Sequence, residues 1–159
     1  MGDEELWRDA AQEDFEFLYS VLVATRWPGK VYNEAQERER YTKKFNLEGL
    51  HVIRHEGQDV GRLRLVLGDD GRMNILNIAG LQILPAFQRR GIGSKILSQV
   101  IYDAPGMSAD VTLEVKKDNE GAQRLYRAKG FVHIGPDPNC EDAIRMRYFT
   151  HKTLPGPGH

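Results

Sequence analysis

The stretch Leu81-Gln82-Ile83-Leu84-Pro85-Ala86-Phe87-Gln88-Arg89-Arg90-Gly91-Ile92-Gly93-Ser94-Lys95 constrains this chain more than any other. An apolar, strand-like run ends near Ile83 and a proline opens a short turn. Gly91 and Gly93 then fall in the first turn of a helix whose stripe is Ile92, Ile96, Leu97, Val100 and Ile101. The first N–H groups of a helix have no internal partner and lie at the positive end of its dipole, where an anion can meet them. Glycine puts no Cβ in the way of a bulky ligand. Arg89, Arg90 and Lys95 add positive charge, and the combination suits a pyrophosphate.

Elsewhere the apolar pattern changes period. Phe15, Leu18, Tyr19, Leu22 and Val23 form one helical stripe that should stop before Trp27-Pro28-Gly29. A second helix is predicted from Glu34 to Phe45, capped by Asn33 with Gln36 three residues on; its thin apolar face makes it peripheral. His51–His55 reads as a strand and Glu56–Asp59 as a turn. Leu63, Leu65 and Leu67 alternate with Arg62, Arg64 and Val66 in a half-buried strand, and Met73–Leu84 follows with Gly80 as a bulge. Val111, Leu113 and Val115 mark a strand. Ala122, Leu125 and Tyr126 mark a helix that ends at Gly130, and two strands follow over 131–134 and 143–149. Helices combined with a mixed sheet give an α/β (α+β) class.

At 159 residues, 40% of them apolar, the chain suits one domain over residues 1–150, followed by a flexible tail at 151–159. Lys plus Arg is 22 and Asp plus Glu is 23, a net charge of −1 that argues against nucleic acid as a partner. The charge is uneven: residues 1–20 carry seven acids against Arg8, while 88–130 are net basic. No apolar run approaches the ~20 residues of a membrane span. The acidic start Met1-Gly2-Asp3-Glu4-Glu5 lacks the basic and apolar regions of a secretory signal, so a cytoplasmic protein without membrane partners is expected. Cys140 stands alone, which excludes an internal disulfide. His51 and His55 are ~13 Å apart on a strand, too far to share a metal, and no metal site is expected.

Three phosphate loops can be compared with the glycine segment. A P-loop places Gly-Lys-Ser/Thr in order, whereas here Ser94 precedes Lys95; a dinucleotide loop needs a third glycine where Ile96 stands. Gln88-Arg89-Arg90-Gly91-Ile92-Gly93 instead resembles the Arg/Gln-x-x-Gly-x-Gly/Ala signature of the GNAT superfamily of acyl-CoA-dependent N-acetyltransferases. The run Leu113-Glu114-Val115-Lys116-Lys117-Asp118-Asn119-Glu120-Gly121-Ala122-Gln123-Arg124-Leu125-Tyr126, ending in Gly130-Phe131, is similar to that family's second signature. The resemblance covers roughly residues 10 to 150. The Leu-Glu-Val strand and the step from Glu114 to Tyr126 look most like the protein-N-terminal acetyltransferases within it.

The resemblance implies a mostly antiparallel mixed sheet of six to seven strands with about four helices, splayed between strands 4 and 5 to admit acetyl-CoA. Ile83 and Leu84 would pair with the pantetheine amides through their backbone. The N–H groups of Arg89, Arg90, Gly91, Ile92, Gly93 and Ser94 would hold the pyrophosphate, flanked by Gln88, with the side chain of Arg89 or Arg90 reaching phosphate. Ile83 N–H would stabilise the oxyanion formed as an amine attacks the thioester. Tyr126 matches the position of the general acid for the leaving sulfur; the bland alternative is packing at i+4 from Ala122. Asn119 would bond the pantetheine arm, cap its helix, or do both. Glu114 would take the amine proton directly or through water.

The acceptor pocket implied by the resemblance maps onto 25–37 and 137–148, with Trp27, Tyr32 and Glu34 as candidate lining. An acidic N-terminal half would attract a cationic acceptor. That acceptor is a small amine or a peptide or protein amine. Last strands pairing between copies would make a homodimer. The competing class is an acyl-CoA-binding sensor or protein-interaction module with little catalysis.

Overall fold

The computed structural model describes residues 5–150. The chain runs β1 (Trp7–Asp9), α1 (Phe15–Ala24), α2 (Glu34–Lys44), β2 (Leu50–His55), β3 (Gln58–Asp69), β4 (Asn74–Ile83), α3 (Ile92–Asp103), β5 (Ala109–Lys116), α4 (Glu120–Ala128), β6 (Val132–Asp137) and β7 (Cys140–Tyr148). The strands are ordered β1-β2-β3-β4-β5-β7-β6. Pairing is parallel at β4/β5, from Asn74↔Ala109 to Ile78↔Leu113, and antiparallel at β1/β2, β2/β3, β5/β7 and β6/β7. This is the mixed, mostly antiparallel α/β sheet with four helices that the sequence implied. No helix among the described residues is long and apolar enough to cross a membrane. The expected tail at 151–159 and the first four residues lie outside the described residues.

Two compact units divide the chain: 5–64 with Gly80–Gly93, and Leu65–Ala79 with 94–150. In the first, α1 buries Leu18 and Val21 fully, and Leu18 packs with Leu50 and Val52 of β2. α2 starts where expected, because the Gln36 N–H donates to the Asn33 side chain at 3.0 Å. None of its residues is buried. Tyr41 ties it to α1: its hydroxyl donates to the Phe15 carbonyl at 2.9 Å, and its ring lies 4.8 Å from those of Phe15 and Tyr19. Glu56 and Gly57 both have positive φ (51° and 81°), so the β2–β3 hairpin closes on those two residues, and the expected turn residues Gln58 and Asp59 already belong to β3.

Two of the N-terminal acids, Asp14 and Glu16, are held in ion pairs, and Asp3 and Glu4 lie outside the described residues. Arg8 donates to both Asp14 oxygens, at 2.9 and 3.0 Å, and to Asp59 at 3.0 Å, while Glu16 pairs with Arg38. Asp14 also accepts the Ala11 N–H at 2.8 Å, and Arg8 holds its carboxyl below the ordinary range.

In the second unit, Ala109, Val111 and Leu113 of β5 and Ile96, Leu97 and Val100 of α3 are buried. α4 is capped by Asn119, whose side chain accepts the Ala122 N–H at 3.1 Å. Gln123 anchors it, donating to the carbonyls of Lys116 and Lys117 at 3.0 and 2.8 Å. The helix ends at Gly130 with φ +107°, where a Cβ would stand 2.9 Å from the Tyr148 ring. Phe131 is buried and precedes β6, which starts one residue later than expected; β7 reaches back to Cys140. Buried Asp110 accepts from Arg147 Nε at 2.8 Å and from the Thr150 N–H at 2.9 Å.

Candidate functional site

In the first unit, β4 ends at Ile83 and a single 3-10 turn, Pro85–Phe87, leads into the glycine loop. Leu84 is committed within the unit: its N–H donates to the Val60 carbonyl and its own carbonyl accepts from Phe87 N–H, both at 2.9 Å. The Leu84 N–H is thus taken by distant Val60, and its carbonyl oxygen, with a second lone pair, is the backbone group it can offer a ligand. Backbone groups of successive strand residues point to opposite edges, so those of Ile83 face away from Val60. The Ile83 carbonyl accepts the Gln88 side-chain amide at 2.9 Å, a brace between strand end and loop.

Arg89 and Gly91 both have positive φ, 65° and 80°, and α3 begins at Ile92, whose side chain is buried. Backbone that alternates its handedness in this way turns N–H groups inward as a nest for anions. A Cβ added at Gly91 or at Gly93 would meet nothing within 4 Å. The space beside both glycines is therefore open to a ligand. The two arginines differ. Arg90 stacks on Phe87, its guanidinium carbon 5.2 Å from the ring centroid, while Arg89 pairs with no side chain among the described residues.

The same unit holds a cavity of about 360 Å³ under α1 and α2. Tyr19 and Leu22 of α1, Tyr41 of α2, and Arg62 and Arg64 of β3 are among its lining. Burial pushes the Tyr41 phenol up to about 12 and pushes the Arg62 guanidinium below its ordinary value. Arg62 donates to the Gln82 side-chain oxygen at 3.2 Å. A Cβ on Gly80 would collide with that guanidinium, so the glycine expected as a bulge makes room for Arg62.

Trp27, Tyr32 and Glu34 do not line this cavity. Trp27 is exposed, while Tyr32 and Glu34 both hold Arg26, which does line it. The Arg26 guanidinium carbon is 4.5 Å from the Tyr32 centroid, and Arg26 bonds the Glu34 oxygens at 2.7 and 3.1 Å. The missed lining left a trace in the sequence. Tyr19, Leu22, Val23 and Arg26 sit at helix spacing, and Arg62 and Arg64 flank the buried Leu63 on a strand face that helices cover.

In the second unit, Tyr126 sits on α4 with its ring centroid 6.0 Å from that of Phe131. Desolvation pushes its phenol up, so it stays protonated at neutral pH. Its hydroxyl makes no hydrogen bond to the described residues, unlike that of Tyr41. Asn119 uses its carbonyl oxygen as the cap, which leaves its NH₂ group to donate. Ala122 has given its N–H to that cap, so it offers a ligand only its methyl group and carbonyl. Glu114 is ion-paired: its cross-strand neighbour on β7 is Arg145, with Nε 3.3 Å from the carboxylate. The pair engages the carboxylate with a neighbour on its own sheet.

The description "Acetyltransferase (GNAT) family" belongs to the family model that matches residues 7–131. N-alpha-acetyltransferase RimI of Mycobacterium tuberculosis is 40% identical over 65 residues, 41% of this chain and 35% of that protein. An uncharacterized N-acetyltransferase of the same organism is 33% identical over 81 residues, 50% of each chain. These matches span about a third to a half of those relatives' own length. Among solved structures, PaiA N-acetyltransferase from Thermoplasma acidophilum in complex with coenzyme A aligns at TM-score 0.69. That alignment has 20% identity over 89% of this chain and 96% of that one. Arabidopsis thaliana Naa50 in complex with a bisubstrate analogue aligns at TM-score 0.67, with 18% identity over 90% and 97%. At these identities the structures speak for the fold.

Proposed function

This chain belongs to the Acetyltransferase (GNAT) family, and from that premise we propose that it transfers an acetyl group from acetyl-CoA to a primary amine by direct attack. The observation that carries this reading is the loop from Gln88 to Gly93. Two glycines with open space beside them, one at positive φ, lie at a helix start that a single 3-10 turn and a short loop join to a strand end. That geometry suits a pyrophosphate held by backbone N–H groups.

The roles follow from what each group has free. The Ile83 N–H, on the β4 edge away from Val60, stabilises negative charge on the thioester oxygen. The N–H groups from Arg89 to Ser94 hold the pyrophosphate, and Arg89 is the arginine free to reach it. The Asn119 NH₂ bonds the pantetheine arm. Tyr126, held protonated by its burial, shares its proton with the departing sulfur. Its raised pKa keeps the phenol protonated, so it can donate a hydrogen bond to the sulfur as charge develops there. Glu114 stays with Arg145, and the amine proton leaves through water. RimI is named an N-alpha-acetyltransferase and Naa50 carries a bisubstrate analogue. Both support a peptide or small-molecule α-amine as acceptor.

Thermal unfolding with acetyl-CoA, CoA and ATP side by side tests the reading. A ligand at ~100 times its Kd adds ~2.7 kcal/mol, which raises Tm by roughly 5–10 °C for a chain of this size. Both CoA species should shift Tm and ATP should not. No shift with either CoA species overturns the reading. A shift without turnover on any amine reassigns the chain to the acyl-CoA-binding module class.

A further inference from the structure

The cavity under α1 and α2 carries an excess of positive charge that the described residues do not neutralise. Two of the cations around it have partners: Arg26 pairs with Glu34, and Arg40 with Glu37. Three do not. Arg62 donates to the neutral Gln82 amide. Arg64 donates to Asn46 Oδ1 at 3.2 Å, to the Asn46 carbonyl at 3.0 Å and to the Glu48 carbonyl, all neutral oxygens. Lys44 pairs with no carboxylate among the described residues. Glu37, already bound to Arg40, is the acid among the lining.

The placement of these charges is costly without a partner. Burial lowers the pKa of Arg62, and its neighbour Arg64 lowers it further by repulsion. The walls are otherwise apolar or aromatic, among them Tyr19, Leu22 and Leu50. Low polarity around a cation raises the cost of leaving it unpaired and strengthens its attraction for an anion. The fold also makes room for the arrangement, since Gly80 leaves out the side chain that would displace the Arg62 guanidinium. Arg62 donates to Gln82, the residue directly before Ile83, whose N–H the proposed reaction uses. A cation cavity on that strand segment suits the acceptor side of the reaction.

We propose that this cavity recognises a carboxylate on the acceptor, so that the preferred substrate is an amine that also carries an acidic group. The inference rests on the acetyltransferase reading for its link to turnover, but not for binding itself. A free phosphate or a phosphate of CoA shares the anion chemistry, and the test separates these sources.

Short peptide amides with a single Glu at position 1, 2 or 3 are compared with the same peptides carrying Gln, which differ only in charge. Expected is a KM about tenfold or more lower for at least one Glu peptide than for its Gln twin, in proportion to a charge-assisted hydrogen bond. Arg62→Gln should erase that difference while leaving the Kd for CoA within about twofold of wild type. Lys44→Glu, at an exposed position that leaves the fold intact, should narrow the difference in the same direction. Equal KM values for every Glu and Gln pair in the wild type overturn the proposal. So does a loss of CoA affinity in Arg62→Gln, which would assign the cavity to a cosubstrate phosphate. Inorganic phosphate that competes with CoA but not with the Glu peptide overturns it as well. If no amine is acetylated, calorimetric titration of the same peptides still reads the charge preference. Binding of Glu over Gln then upholds the cavity while the transferase reading falls, and equal binding overturns the cavity.

Discussion

The side-chain amide of Gln88 donates to the carbonyl oxygen of Ile83 at 2.9 Å, so the loop that begins at Gln88 is bolted to the strand end that precedes it. The bond spans five residues and fixes the Ile83 peptide against the first turn of the loop. The expected consequence is that Gln88→Ala folds normally, because the side chain is exposed, with a stability loss of about 1 kcal/mol. It should weaken CoA binding by roughly tenfold, one charge-free hydrogen bond's worth of preorganisation. Calorimetry with CoA checks this, and an unchanged Kd would show that the brace does not matter to the ligand.

Gly91 and Gly93 make different demands, and substitution separates them. Gly91 has φ +80°, so any side chain there strains the backbone. Gly93 has no such constraint and lies in the first turn of α3, where an acid is favourable to the helix dipole. Gly93→Glu should keep or slightly raise Tm and lower CoA affinity by ~100-fold or more, since a carboxylate would stand in the proposed pyrophosphate site. Retained CoA binding in a folded Gly93→Glu protein would refute the loop as the anion site.

Tyr126→Phe should lower kcat by ~10²-fold with little change in the Kd for CoA. The pH profile adds a second check. Burial raises the phenol, so loss of its proton belongs above ~10. The wild-type rate should rise as an α-amine acceptor deprotonates near ~8 and then hold level toward pH 10. A fall in kcat well below that range would mean that the phenol is not the titrating acid.

For Glu114 the ion pair with Arg145 predicts a small effect. Glu114→Gln should change kcat by less than about threefold while costing up to ~1 kcal/mol of stability. A loss of two orders of magnitude in kcat at pH 7, recovered at high pH, would restore it as the base.

Asp14 provides a stability test on the acid side. Its carboxyl is held below the ordinary 3.8 first by Arg8 and then by the Ala11 N–H. A depressed folded-state value means that the stabilisation is complete above ~4 and is lost as pH falls toward the lowered value. Asp14→Asn should cost about 1.5–3 kcal/mol at neutral pH, roughly 3–12 °C in Tm. It should also flatten the loss of stability below pH 4, as read by thermal unfolding across pH.

What was legible in the sequence was local. The α2 cap at Asn33, the α4 cap at Asn119, the left-handed end at Gly130 and the glycine loop depend on residues within a few positions of one another. What was hidden depends on partners far along the chain. β1 is three residues long, too short for any period to show, and exists because Trp7–Asp9 pairs with His51–Ile53. Leu84 looked available until the Val60 carbonyl took its N–H. Gly80 was explained by Arg62, eighteen positions away. The cavity was missed because α1, α2 and β3 each carry part of its lining, while the cues at Tyr32 and Glu34 serve to hold Arg26 and Trp27 is exposed.

The empty space beside Gly93 has a further consequence. Among the described residues a Cβ there would meet nothing within 4 Å, so the sequence requirements for folding and for holding a ligand come apart at this position. A single change there would leave a well-folded domain with the proposed anion site closed. The scaffold could then persist and take up another task without passing through an unstable intermediate.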